Sequence, residues 1–412
     1  MSGLLSSKFR EQVSKLKDFR MKNESEFNVG YPTGFLNFDF KNGTIIHTKV
    51  NDKDVSYYSV GLTDGSMVTL IGRSGCGKST FAMQAAANII RPFKTSCIFE
   101  DNIEGGITER RKEILTKFYG QELNNRVVSR NTGITAENFY ERVKMLHDLK
   151  LENRADYEYD TGLYDSMGNR IYKLEPTVYI LDSIALLMPD KLTTEDELSG
   201  QMATTAAAKT NASILRRILP MLKTANIMLF VINHVTENVD INPMAKKKAQ
   251  VSYLKQSERL PGGNTPIYLS NTIIRFDDHS KLKSSDSFGI DGSLVDLTFV
   301  KSRTNKAGQS ATLLFNQNIG FDPDLSLFLL LKDSGKINGA GAYLYIGDRS
   351  DIKFSQKTFK EKLQESPELY EIFMNEAMSV LKDMVVDIQD DTEQETASDT
   401  ASSILNKINC FE

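Results

Sequence analysis

Gly72-Arg73-Ser74-Gly75-Cys76-Gly77-Lys78-Ser79-Thr80 has the residue types and spacing of a loop that holds a phosphate chain. A glycine, four residues and then Gly77-Lys78-Ser79 fit the P-loop pattern. Glycines let the backbone wrap an anion, with N–H groups pointing inward at a helix N-terminus. Lys78 supplies a point charge for β- and γ-phosphates, and Ser79 an oxygen for Mg²⁺. The flanks support this chemistry. Met67–Ile71 is an apolar run that predicts a buried strand, and Phe81–Ile90 predicts a helix. A nucleoside triphosphate with Mg²⁺ is the expected ligand.

Further candidates stand at the ends of other apolar runs, where open α/β sheets collect function. Val178–Leu181 closes on Asp182-Ser183, and an acid there suits water-mediated Mg²⁺ binding. A strand over 95–99 is followed by Glu100, Asp101 and Glu104, any of which can polarise an attacking water. Glu104, further past the strand, is placed to reach over a γ-phosphate. Ile227–Ile232 ends in Asn233-His234. A lone histidine is usually structural. At a strand end beside phosphates, it suits sensing of the γ-phosphate and relay to the following segment.

That segment, 235–263, holds Lys246, Lys247, Lys248, Tyr253, Lys255 and Arg259 and closes on Pro261-Gly262-Gly263. Cations interleaved with an aromatic, and a glycine hinge, predict a mobile loop that grips a nucleic-acid backbone. A second loop is expected over 189–202. Lys301 and Arg303, one residue apart at the end of a strand over 295–300, share a face. They are placed to reach a phosphate in their own subunit or across an interface.

The elements needed to position these residues are legible as alternating apolar runs. Strands are expected at 67–71, 95–99, 177–181, 227–232, 272–276, 295–300 and 311–315, and helices at 107–118, 135–151 and 204–224. Strand–helix alternation to about residue 233, then strands alone, predicts a mainly parallel sheet with late antiparallel hairpins. Residues 4–22 read as a short amphipathic helix, followed by a polar run to Phe27. Turn signals near 43–60 and 152–175 mark hairpin insertions. A helix is expected over 356–384, and the acids from Asp387 to Asp399, with no intervening lysine or arginine, predict a disordered tail.

Bulk composition narrows the class. The chain has 412 residues, 50 Lys plus Arg against 54 Asp plus Glu, and a net charge of −4. Any surface for nucleic acid must therefore be local. Cys76, Cys97 and Cys410 are too few for a disulfide framework, and four scattered histidines argue against a zinc site. No apolar run is long enough for a membrane span, and the N-terminus lacks a signal-peptide core. A cytoplasmic setting is expected.

Taken in order, the P-loop, Leu181-Asp182-Ser183, Ile232-Asn233-His234, Gly263-Asn264-Thr265-Pro266-Ile267-Tyr268, Lys301-Ser302-Arg303-Thr304 and Phe321-Asp322-Pro323 resemble the RecA-type recombinases. They are most similar to the UvsX recombinases of tailed phages. The resemblance spans about 28–335 and is weak at both termini. It implies a helical filament on single-stranded DNA, ATP between subunits, and pairing with double-stranded DNA. It also implies Glu104 as the catalytic glutamate, His234 as the γ-phosphate sensor, and Lys301 and Arg303 as cations reaching ATP across the interface. The 189–202 loop corresponds to the family's first DNA loop, and the N-terminal helix to a segment packing on the adjacent protomer. The chain departs from the family in an extra residue before Glu104, which leaves Glu100, Asp101 and Glu104 open as the base. It also has Glu109-Arg110-Arg111 where relatives often place an aromatic, so Arg111 is the candidate platform for adenine.

The resulting expectation is a RecA-like α/β ATPase core over 28–335. A helix and linker over 1–27, a small α/β unit over 336–386 and an acidic tail over 387–412 flank it. The expected activity is ATP-dependent DNA strand exchange, with single-strand-binding and mediator proteins as further partners. The alternatives are a hexameric helicase of related fold and an ATP-binding filament or mediator protein without turnover.

Overall fold

The computed structural model describes residues 29–51, 53–105, 107–164, 168–194, 200–237, 254, 258–261, 265–285 and 288–385. The expected helix over 4–22 with the linker that follows it, the tail over 387–412, and Lys246, Lys247, Lys248, Tyr253, Lys255, Gly262 and Gly263 lie outside the described residues.

A nine-stranded sheet organises the chain. Its strands are β1 (Met67–Gly72), β2 (Ile98–Asn102), β3 (Val127–Arg130), β4 (Thr177–Asp182), β5 (Ile227–His234), β6 (Thr272–Leu282), β7 (Gly292–Ser302), β8 (Ser310–Asn316) and β9 (Gly320–Asp322). They lie in the order β9-β8-β7-β6-β1-β5-β4-β2-β3. From β6 to β3 every pair is parallel, and the β6–β9 side is antiparallel. The expected mixed sheet with late hairpins is present. β1, β4 and nearly all of β5 are buried, which explains why they read as unbroken apolar runs.

Alternate side chains of these strands serve opposite faces. Val68, Leu70, Val178, Ile180, Met228 and Phe230 pack with Phe81, Ala85 and Ile89 of the helix Lys78–Ile90. Met67, Tyr179, Leu181, Leu229 and Val231 pack with the helices Ala136–Glu152 and Gly200–Thr224. Each large apolar side chain so buried contributes about 1.5–3 kcal/mol, and together they hold the strand ends in register. Among the described residues, no helix is long and apolar enough to cross a membrane.

Several boundaries differ from expectation. β2 begins at Ile98 rather than 95, so Glu100 and Asp101 lie inside the strand. The edge strand β3 was not foreseen. Of the expected loop over 189–202, Asp190–Thr194 is helical and Gly200 opens the long helix; 195–199 lies outside the described residues. The single helix expected over 356–384 is two, Phe359–Glu365 and Pro367–Lys382. Pro367 disfavours helical geometry at Ser366, whose side chain instead accepts from Leu369 N at 3.2 Å as the cap of the second helix.

Both insertions are hairpins: Thr44–Val50 with Lys53–Ser59, and Glu158–Tyr164 with Arg170–Leu174. They touch, with Tyr57 OH donating to Tyr164 O at 2.7 Å. Residues after 336 share one apolar cluster with the helices Leu36–Lys41 and Pro323–Asp333, through Phe354, Phe359 and Phe373 against Leu36, Phe40 and Phe328.

Candidate active site

The loop between β1 and the helix Lys78–Ile90 has left-handed backbone at Gly75 (φ 79°) and Gly77 (φ 88°), a region side chains avoid. A Cβ at Gly77 would also stand 2.8 Å from the Phe321 ring. Arg73, Ser74 and Gly75 form the exposed crest, Cys76 is buried beneath, and Ser79 and Thr80 are half-buried on the first helical turn. That turn has no side-chain cap and no acid, so its positive end is left for an anion.

Lys78 is only 4 % exposed. Its Nζ donates to Gly72 O at 3.0 Å and Arg73 O at 2.7 Å, and lies 3.5 Å from His234 Nδ1. Among the described residues no carboxylate forms an ion pair with it. An ammonium held at a loop by neutral groups such as the two carbonyls is placed for an anionic ligand.

Ser79 Oγ donates to Asp182 Oδ2 at 2.6 Å, joining the loop to the end of β4. Asp182 is buried, and its Oδ1 has no hydrogen-bond partner. Burial pushes the Asp182 carboxyl above its ordinary range, and the charge of Glu104 adds to this. An orphaned, buried carboxylate oxygen beside a hydroxyl fits a hard divalent cation. Ser79 and Asp182 therefore suit Mg²⁺.

The three acids differ in their neighbours. Glu100 is 3 % exposed and takes Lys112 Nζ and Ser129 Oγ, each at 2.6 Å. Asp101 accepts from Tyr179 OH at 2.5 Å and pairs with Arg142. Both are spent inside the fold. Glu104 is exposed, and its Oε1 accepts from Ser183 Oγ at 2.7 Å and lies 2.7 Å from His234 Nε2. Carboxylate oxygens of Glu104 and Asp182 and a His234 nitrogen fall within 4.8 Å of one another. No protein-family model matches the chain, and no curated protein matches it either.

Asn233 and His234 end β5 beside Gly72. Two residues on, Thr236–Glu237 pairs with Glu258–Arg259, a short ribbon that closes the 238–257 segment. Arg259 is exposed on it. Arg111, on the first turn of the helix Glu109–Thr116, donates to Asn318 O, and burial pulls its pKa down.

Lys301 and Arg303 are not at this edge of the sheet. Lys301 is in register with Ile273, which pairs with Thr69, and Arg303 N donates to Asn271 O, below the start of β1. Lys301 Nζ donates to Ile267 O and Tyr268 O at 2.9 Å, and Arg303 Nη2 to Tyr268 O at 3.1 Å. Burial, then Arg303, lowers the Lys301 pKa. They stand at the end of the sheet opposite the loop of their own chain. β7 runs antiparallel and ends where β1 begins.

Sequence reasoning gave no role to Ser183, Glu258 or Arg275. For Arg275 a signal was available, a cation between the apolar residues Ile273, Ile274 and Phe276.

Proposed function

We propose that this chain is an ATP-dependent DNA recombinase of the RecA type, closest to the UvsX recombinases. It would coat single-stranded DNA as a helical filament and exchange strands with homologous duplex. The observation that carries the reading is the meeting of Lys78, Ser79, Asp182, Glu104 and His234 at the ends of β1, β4, β2 and β5, with His234 leading directly into the ribbon.

Bound Mg²⁺ would neutralise charge on the β- and γ-phosphates. Lys78 exchanges its carbonyl partners for phosphate oxygens. Ser79 and Asp182 would hold the cation. Glu104 takes the proton of the attacking water. His234, bridging Lys78 and Glu104, registers the γ-phosphate and passes its presence through Val235 to the ribbon. Arg111 offers a guanidinium face to the base. Lys301 and Arg303, facing away from their own loop, serve the nucleotide of a neighbouring subunit.

A strand-exchange assay with ATP tests this, using the unaltered chain and Lys78→Ala. Pairing of homologous strands by the unaltered chain alone is expected. Unwinding of forks without pairing points to the helicase, and ATP binding without turnover to a filament or mediator protein.

A further inference from the structure

Arg275 stands in β6 in register with Ile71, the residue before Gly72. Its guanidinium donates to both oxygens of Glu258, from Nη1 to Oε2 at 2.9 Å and from Nη2 to Oε1 at 3.1 Å. It donates equally to both oxygens of Asp277, at 2.7 Å and 3.1 Å. The Glu258 side chain is 1 % exposed, that of Arg275 11 % and that of Asp277 50 %. A buried ion pair gains little stability over an apolar pair of the same shape. Its planar fork does fix the direction of the carboxylate it holds.

Glu258 opens the returning strand of the ribbon that follows His234. The outgoing strand is tied to the phosphate loop by backbone, with Val235 N donating to Gly72 O at 3.0 Å. The end of the returning strand is tied to β5, with Asn233 Nδ2 donating to Pro261 O at 2.9 Å. These two ties lie at or beside His234 and move when it moves. The Glu258–Arg275 fork reaches instead to β6, on the far side of β1 from β5. The outgoing strand is therefore tied only beside the sensor, whereas the returning strand is held both there and by a strand that does not carry it.

We propose that Arg275 is a positioning residue, a fixed anchor on Glu258 against which a shift of His234 turns the ribbon. This rests on the nucleotide reading above and adds the second point of a lever to it. Without the anchor both strands follow His234 together, and the ribbon shifts without turning.

The test compares the full chain with Arg275→Met, which keeps the apolar stem and removes the fork. Affinity for a fluorescent ATP analogue, amide exchange at 235–237 and 258–260 with and without nucleotide, and single-stranded DNA affinity with and without nucleotide are measured. Arg275→Met is expected to bind the analogue as the unaltered chain does. Its ribbon exchange should no longer respond to nucleotide, and a nucleotide–DNA coupling of about tenfold should collapse toward one. Glu258→Gln, which removes the charge but keeps the shape, should give an intermediate loss and carries the same readout if Arg275→Met does not fold. A ribbon response equal to that of the unaltered chain overturns the anchor. So does a parallel loss of analogue affinity, which marks a merely structural role. An unaltered chain that binds no analogue overturns the nucleotide reading and the anchor with it. An unaltered chain whose ribbon responds but which binds no DNA overturns the recombinase reading alone.

Discussion

Lys150, on the last turn of the helix Ala136–Glu152, should make the chain's stability rise between about pH 7 and about pH 10.5. It is 2 % exposed, and its Nζ donates to Glu175 O at 2.7 Å, Thr177 Oγ1 at 3.1 Å and Asn226 O at 3.4 Å. All three acceptors are neutral. Burial brings its pKa from 10.5 down to about 7. Within that window the unfolded chain binds a proton that the folded chain lacks, so stability climbs with pH. Below pH 7 both states are protonated and the penalty stays at its full value, about 5 kcal/mol at about 1.4 kcal/mol per decade. Lys150→Met removes that penalty and the two hydrogen bonds that the neutral amine can donate, worth about 1 kcal/mol each. The variant should be more stable by about 3 kcal/mol at or below neutrality and less stable by about 2 kcal/mol near pH 10.5, crossing at about pH 9. Urea unfolding of both chains at several pH values measures this, because groups common to both cancel in the difference. A difference that stays flat with pH would refute the reasoning by showing that the ammonium remains charged on its carbonyls.

The other acids and cations separate in the same manner. Glu104→Gln should lower ATP turnover by about 10²–10⁴ while leaving nucleotide affinity in place, read by steady-state turnover and analogue titration. Glu100→Gln should instead cost about 3–5 kcal/mol of stability, because it strands Lys112 in a buried pair; thermal melting reads it. Alanine at both Lys301 and Arg303 should leave nucleotide binding by dispersed chains unchanged and abolish nucleotide-dependent assembly in sedimentation. Weaker binding by dispersed chains would show that the pair serves its own loop.

Most of the sheet was legible because β1, β4 and β5 are covered on both faces and carry few polar side chains before their ends. The end of β2 was misplaced for the opposite reason. Glu100 and Asp101 looked like residues beyond a strand, since only Lys112, Ser129, Arg142 and Tyr179 make them tolerable within one. The same partners decide which acid faces the loop, so that decision was not available from spacing. Lys78, Ser79 and Asp182 could be found because each sits where an apolar element starts or stops. The placement of Lys301 and Arg303 depends on strand direction, which a run of apolar residues does not encode. The break before Pro367 was written in the sequence and passed over.

The separation of Lys301 and Arg303 from Gly72–Thr80 has a consequence for assembly. Under the proposed reading each chain offers cations at one end and a phosphate cradle at the other, so no pair of chains facing each other can satisfy both. Every addition leaves one unfilled end of each kind. Such a contact gives the polymer a direction, a head that differs from its tail, and growth continues without a set number unless the rotation between neighbours closes a ring. Length is then governed by the supply of chains and of the strand they coat.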